Sequence, residues 1–272
     1  MVKFPSQLLI STKHQKHQIL QPLFGPFGTT LITDSNFDTD AFGTFCGGIP
    51  RLEGPKITVK EKCLAGMKFS NTLQGLASEG SFGLHPAYPF LTVNEEWVVY
   101  IDLLNQIEVY GYSLSLDLCF ERLNNRNAAQ LDHFLNRIDF GKQGLILKDE
   151  STGLVIQKGI SCKSELFRLL KAHPDWVLET ELRSHFNPKR QINIRRAAQN
   201  LIDRMHSFCP NCQAIGYWVE GQEGNLPCST CQNQTNSYQY LKFHCFECRH
   251  EELVRRKDKL VEDPQYCPIC NP

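Results

Sequence analysis

The sequence predicts an α/β fold with a mixed sheet, followed by a small tail that folds on metal ions. Three observations carry this. Over the first two hundred residues, short apolar runs of strand length alternate with segments whose apolar residues recur at helical spacing. Two pairs of strand-like runs lie close enough in sequence to close as hairpins. Eight of the twelve cysteines fall after residue 208, all in C-x-x-C pairs. That asymmetry divides the chain into an N-terminal α/β domain, residues 1–206, and a cysteine-rich tail, residues 207–272.

In order, "QLLIS" (7–11) is an apolar run ending in small residues and reads as a buried strand. "HQKHQILQPLF" (14–24) reads as a helix and "TTLIT" (29–33) as a second strand. After the acidic loop "DSNFDTDAFGTF", Pro55 and Thr58 suit a helix start, with Val59, Cys63 and Met67 along one face. "EWVVYID" (96–102) and "IEVYGY" (107–112) form a hairpin. "NAAQLDHFLNRI" is an amphipathic helix, and "GLILK" and "LVIQK" flank "DESTG" as a second hairpin. The segment 176–205 ends in a helix with Ile194, Ala197, Ala198, Leu201 and Ile202 inward. From Lys189 to Arg204 it carries five basic residues against one acid, which suits a solvated face or an anion- or RNA-facing strip.

A hydrophobic share of 41%, a charged share of 21% and a net charge of zero describe an ordinary globular protein with no global field for nucleic acid or membrane. The N-terminus lacks a signal-peptide pattern, and the uncharged run 18–33 is too short and too broken by proline and glycine to span a bilayer. A cytoplasmic protein without a membrane segment is expected.

The tail pairs are Cys209/Cys212, Cys228/Cys231, Cys245/Cys248 and Cys267/Cys270, with fifteen residues between the first two pairs and eighteen between the last two. Both gaps match the spacing of a zinc ribbon, where one tight turn brings two thiolates to one metal. A reducing cytosol disfavours disulfides, and a redox dithiol needs one pair rather than four. Two structural zinc ions follow, each closed by four cysteines. Sequential pairing is the expected arrangement; a cross-braced one uses the same ligands. The tail carries six Lys/Arg against eight Asp/Glu, so it is no basic clamp. Trp218, Tyr238, Tyr240 and Phe243 suit ribbon cores, or base stacking if the tail docks RNA.

In open α/β sheets, ligands gather at the carboxyl ends of strands. Three loops meet that description. In "STKHQK", Ser11, Thr12, His14 and Lys16 open a helix and form an anion seat. The acidic loop after the second strand offers Asp38 and Asp40 for a divalent cation, with Arg51 at its end as a further cation for a bound anion. "ASEGSFGLHP" (77–86) reads as a glycine-punctuated turn carrying Glu79, Ser81 and His85. Anion donors beside carboxylates are what Mg²⁺-dependent phosphate chemistry needs. The same residues also suit plainer roles: the aspartates as turn caps, Ser11 and Thr12 as helix caps, Lys16 as a solvated side chain.

The arrangement "STKHQK … FDTDAFGTFCGGIPR … ASEGSFGLHP … ETELRSHFNPKR", ahead of cysteine pairs, resembles a bacterial domain-of-unknown-function family, number 6671. Residues 8–112 also resemble nucleoside triphosphate pyrophosphatases of the inosine/xanthosine triphosphatase and Maf type. There Ser11 to Lys16 match the phosphate-holding turn, Lys60 and Lys62 the basic helix, and "ASEG" the acidic Mg²⁺-binding turn. Two departures stand out: His14 lies near the expected asparagine, and position 79 carries one acid where a pair is usual, so Asp38 or Asp40 would supply the other. The resemblance implies hydrolysis of a phosphoanhydride in a phosphorylated, nucleotide-like substrate. Lys16 would hold phosphate, and Glu79, Asp38 and Asp40 would hold Mg²⁺ and orient water. The rival reading is a non-catalytic module whose tail and basic helix dock RNA or a protein.

Overall fold

The computed structural model describes residues 4–12, 15–39, 53–85, 87–118 and 120–272. They form two compact units, divided between Leu201 and Ile202.

In the first unit, β1 (Gln7–Ser11), β2 (Thr30–Ile32), β3 (Gln74–Leu84), β4 (Thr92–Asp102) and β5 (Ile107–Ser115) make one mixed sheet in the order β2-β1-β3-β4-β5. β1 is parallel to both neighbours because helices α1 (Lys16–Phe24) and α2 (Pro55–Phe69) carry the chain back along the sheet. From β3 to β5 the connections are tight and the strands antiparallel. Pro55 starts α2 at its first turn, where a missing N–H costs nothing. Val59, Cys63 and Met67 of α2 are fully buried against Leu9, Ala77, Val99 and Ile101, as their spacing predicts.

The long helix α5 (Pro188–Met205) begins with Asn187 as its cap: the Asn187 Oδ1 accepts the Arg190 N–H at 3.0 Å. Its five expected inward residues are all buried, and Arg190, Asn193 and Met205 are buried with them. It lies against β4 and β5, where Asn193 Nδ2 donates to both Asn94 oxygens at 2.9 Å and Tyr112 N–H donates to Asn200 Oδ1 at 3.0 Å. Gly111 permits that approach, since a Cβ there would strike the Ala197 carbonyl.

A second, antiparallel sheet joins β6 (Arg122–Asn124), β7 (Leu145–Asp149), β8 (Val155–Ile160) and β9 (Trp176–Thr180) in the order β6-β9-β7-β8. Helices α3 (Leu131–Arg137) and α4 (Lys163–Ala172) cover it through Phe134, Leu135 and Leu166. The helix expected over 127–138 is shorter than its pattern. Residues 125–130 wind as 3₁₀ turns, with Asn127 outside helical geometry and its side chain donating back to Asn124.

One expectation needs correcting. The stretch 77–86 is not a turn through Glu79 and Ser81: β3 continues to Leu84 and pairs residue for residue with β4. Gly80 is there for space rather than for bending. It faces Glu96 across the pair, and a Cβ at position 80 would overlap the Glu96 carboxylate.

In the second unit, β10 (Trp218–Glu223), β11 (Tyr240–His244) and β12 (Glu251–Arg255) form an antiparallel sheet. Its apolar core is small: Tyr217 and Phe243, ring centroids 5.5 Å apart, close over Cys209 and Cys245. Trp218 packs under the Arg204 guanidinium and Tyr238 under Arg256. Among the described residues no helix is long and apolar enough to cross a membrane.

Candidate functional site

The eight tail cysteines gather into two clusters of four, Cys209, Cys212, Cys245 and Cys248, and Cys228, Cys231, Cys267 and Cys270. Pairing is therefore interleaved: first pair with third, second with fourth. The sequential pairing expected from spacing is corrected. Sulfur–sulfur distances are 3.6 Å for Cys209–Cys248 and Cys212–Cys245, 3.9 Å for Cys228–Cys270 and 3.6 Å for Cys231–Cys267. Four sulfurs at zinc's bond length of about 2.3 Å form a tetrahedron with edges of about 3.8 Å, so both clusters have the dimensions of a closed zinc site.

Local structure explains how each pair presents its sulfurs. Cys209, Cys228 and Cys245 each donate their N–H to the carbonyl five residues on and accept, four residues on, the N–H of a residue in the left-handed region. Those residues are Gln213, Gln232 and Arg249, at φ of 62°, 62° and 59°. The turn folds the chain around the metal position. Amides of Asn211 and Thr230 donate to the Cys209 and Cys228 sulfurs at 3.4 Å, which fixes the direction in which those sulfurs point.

A second site lies at the end of β1. The last pairing of β1 with β3 joins Ser11 to Ala77, and one residue further on the Ser78 carbonyl accepts two lysines. Lys16 reaches it from α1 at 3.0 Å and also donates to Ser78 Oγ at 3.2 Å; Lys62 reaches it from α2 at 3.3 Å. Lys62 also forms a buried ion pair with Glu79. Alternation along β4 puts Glu96 on the other face, where it accepts Arg190 Nε at 2.6 Å and Asn94 Nδ2 at 3.0 Å. All five charged side chains are buried. Burial, together with the nearby Arg190 and Lys62, lowers the Lys16 ammonium to about 7, against the opposing pull of Glu96 and Glu79. The Oγ of Ser11 and the Oε2 of Glu96 are buried without a hydrogen-bond partner among the described residues.

Lys16 is thus not a solvated residue at a helix start but an internal cation on the buried stripe Lys16, Ile19, Leu20, Phe24. Glu79 joins the cluster, paired to Lys62 rather than exposed on a loop. Ser81 donates to Glu95 at 3.2 Å, and His85 accepts the amides of Ala87 and Tyr88 through Nδ1, capping the turn beyond β3. Ser81 and His85 thus bond within the β3–β4 hairpin. Thr12 is half-buried just past β1, and Asp38 is exposed. His14, Asp40 and Arg51 lie outside the described residues. Asp34 accepts the Asn36 amide and the Ser70 hydroxyl, a turn-capping role. Among the described residues, the cysteine clusters are the sole groups of three or more His, Cys, Asp or Glu side chains close enough to share an ion. Glu79 and Asp38 belong to no such group among the described residues.

Arg190 and Glu96 escaped the sequence reading. Helical spacing held the signal for Arg190, which falls four residues before Ile194 on the apolar stripe of α5. Of the other cations in the basic strip, Lys189 pairs with Asp117 and Arg204 with Glu220.

Among curated proteins and solved structures, nothing matches the chain. A family model described as "Domain of unknown function (DUF6671)" matches residues 62–272, which takes in Lys62, Glu79, Glu96, Arg190 and all eight clustered cysteines. With well over half of its length matched, the chain belongs to this family.

Proposed function

We propose that the chain binds a phosphorylated, nucleotide-like ligand at the end of β1, and that its tail carries two structural zinc ions. One observation carries the first part: three buried cations gather at the carboxyl end of a parallel strand, Lys16 and Lys62 converging on the Ser78 carbonyl and Arg190 lying close enough to Lys16 to depress its pKa. Buried charge is costly unless compensated, and an anion would compensate it. It would also favour the charged form of Lys16. In this reading Lys16 and Lys62 hold phosphate oxygens, Ser11 supplies a hydroxyl donor, and the Glu96–Arg190 pair fixes the cations' positions.

Cleavage of a phosphoanhydride at this site is the reaction the sequence resemblance implies. A metal-dependent version would draw on Glu79 with acids from the 34–40 loop. A panel of nucleoside mono-, di- and triphosphates, with and without Mg²⁺, tests both parts by thermal shift and phosphate release. Stabilisation by nucleotides that Lys16→Met abolishes supports the binding reading; phosphate release without stabilisation by any member of the panel would contradict it.

A second reading, a docking tail without catalysis, rests on Phe246 and Ile269, which stand 67% and 64% exposed inside two of the cysteine turns. Their apolar character and the tail's acidic balance favour a protein partner over RNA. Salt-dependent RNA binding by the full chain would count against that preference.

A further inference from the structure

The first turns of α1 and α5 border a cleft of about 300 Å³, lined by Gln15, Gln18, Ile19, His185, Gln191 and Arg195. Five of these six side chains are polar and none is acidic. The cleft stands back to back with the buried cluster. Gln15 and Gln191 line it, while their sequence neighbours Lys16 and Arg190 turn inward to Ser78 and Glu96.

The donors around the cleft are only partly used. Arg195 spends its Nε on the Ile19 carbonyl at 3.4 Å, a long bond, and among the described residues nothing engages its two Nη groups. The Gln191 amide donates to the Ser184 carbonyl at 2.9 Å, which fixes that side chain against the cleft wall. The side-chain amides of Gln15 and Gln18, which line the cleft, have no hydrogen bond among the described residues. His185 stays neutral near pH 7, because burial and the neighbouring Arg183 hold its pKa below the usual histidine value. One guanidinium fork and two carboxamides, with no carboxylate among the described lining residues, match the donor pattern of an oxyanion. The volume equals that of about ten waters at roughly 30 Å³ each, enough for a phosphate and a short organic group. It lies at the lower end for a small-molecule site.

We propose that this cleft is a second oxyanion site, separate from the buried cluster, and that it takes the phosphate of a small phosphate monoester on Arg195, Gln15 and Gln18. The organic part of the ligand would rest on Ile19.

The test is calorimetric titration of the zinc-loaded full chain with glycerol 3-phosphate and, separately, with inorganic phosphate, at fixed chloride. The ester should bind more tightly than phosphate. Arg195→Gln should weaken it at least tenfold and Gln18→Leu severalfold, while Lys16→Met changes it less than twofold. Arg195 and Gln18 are surface residues, so both variants should keep the wild-type melting temperature. Equal affinity in Arg195→Gln and wild type would overturn the proposal, as would the absence of any ester binding. Loss in Lys16→Met but not in Arg195→Gln would place the ligand in the buried cluster instead. Equal loss in both would refute the claim that the sites are separate. Phosphate binding as tight as the ester would remove the organic part from the proposal.

Discussion

Substituting Gly80 by alanine tests the buried cluster through a residue that carries no charge at all. The new Cβ would overlap the Glu96 carboxylate, whose carbon and both oxygens lie over the glycine. Glu96 cannot swing to solvent, because it is fully buried and pinned by Arg190 and Asn94. Moving it takes from the buried Arg190 guanidinium the carboxylate it pairs with. Breaking a buried ion pair from one side costs about 3–5 kcal/mol. For a unit of roughly 200 residues, at about 2–4 °C per kcal/mol, the melting temperature should fall by about 6 to 20 °C. Gly83, three residues along the same strand, is the control, since a Cβ there meets nothing within 4 Å. Neither glycine has a positive φ, so alanine's backbone limits do not enter. Gly83→Ala should change stability by no more than about 0.5–1 kcal/mol, and in the stabilising direction. The assay is thermal denaturation of both variants by circular dichroism, zinc held constant. Melting temperatures within 2 °C of each other would refute the account of Gly80 as the space in which Glu96 sits.

Elemental analysis of protein purified without added metal should give two zinc ions per chain, and Cys228→Ser with Cys231→Ser should leave one. In that double variant, alkylation should label Cys267 and Cys270 rather than Cys209 and Cys212; the reverse would restore sequential pairing. Lys16 supplies a pH signature. Its folded-state pKa of about 7 lies below the unfolded value of 10.5, so between those limits the unfolded chain holds the extra proton. Stability from this residue therefore rises with pH across the window, at up to roughly 1.4 kcal/mol per pH unit, and is flat below pH 7. Denaturant titrations from pH 6 to 9.5 should show Lys16→Met gaining less over wild type as pH rises; a constant difference would mean Lys16 titrates normally.

Most of the architecture could be read from the sequence, because strand and helix periods survive wherever one face is buried. Val59, Cys63 and Met67, or Ile194 through Ile202, report their burial by spacing alone. The β3 error shows where that logic fails. Glycine serves both turns and close approaches, and what selects between them at Gly80 is a carboxylate sixteen residues away. The charged cluster was half legible for a related reason. Lys16 and Glu79 stood out as residue types, whereas Arg190 and Glu96 acquire meaning only once α5 lies on β4. Cysteine spacing pointed to metal-binding clusters but not to which pairs share one. Interleaving lengthens the intervening loops from fifteen and eighteen residues to thirty-two and thirty-five. Doubling a loop costs only about 0.6 kcal/mol, small beside the roughly 10–16 kcal/mol of a structural zinc, so loop length could not decide the pairing.

Interleaving also sets an order of events during synthesis. When the ribosome has released Cys231 but not yet Cys245, the nascent chain displays four thiols at ribbon spacing whose final partners do not yet exist. Zinc captured then would join the first pair to the second, a combination the finished tail does not contain. Reaching the native arrangement requires that ion to change hands as Cys245 and Cys248 arrive, and the other cluster closes only when the last pair follows. Maturation of this tail is thus a ligand-exchange problem, and its rate should depend on free zinc and on added thiols that speed the exchange.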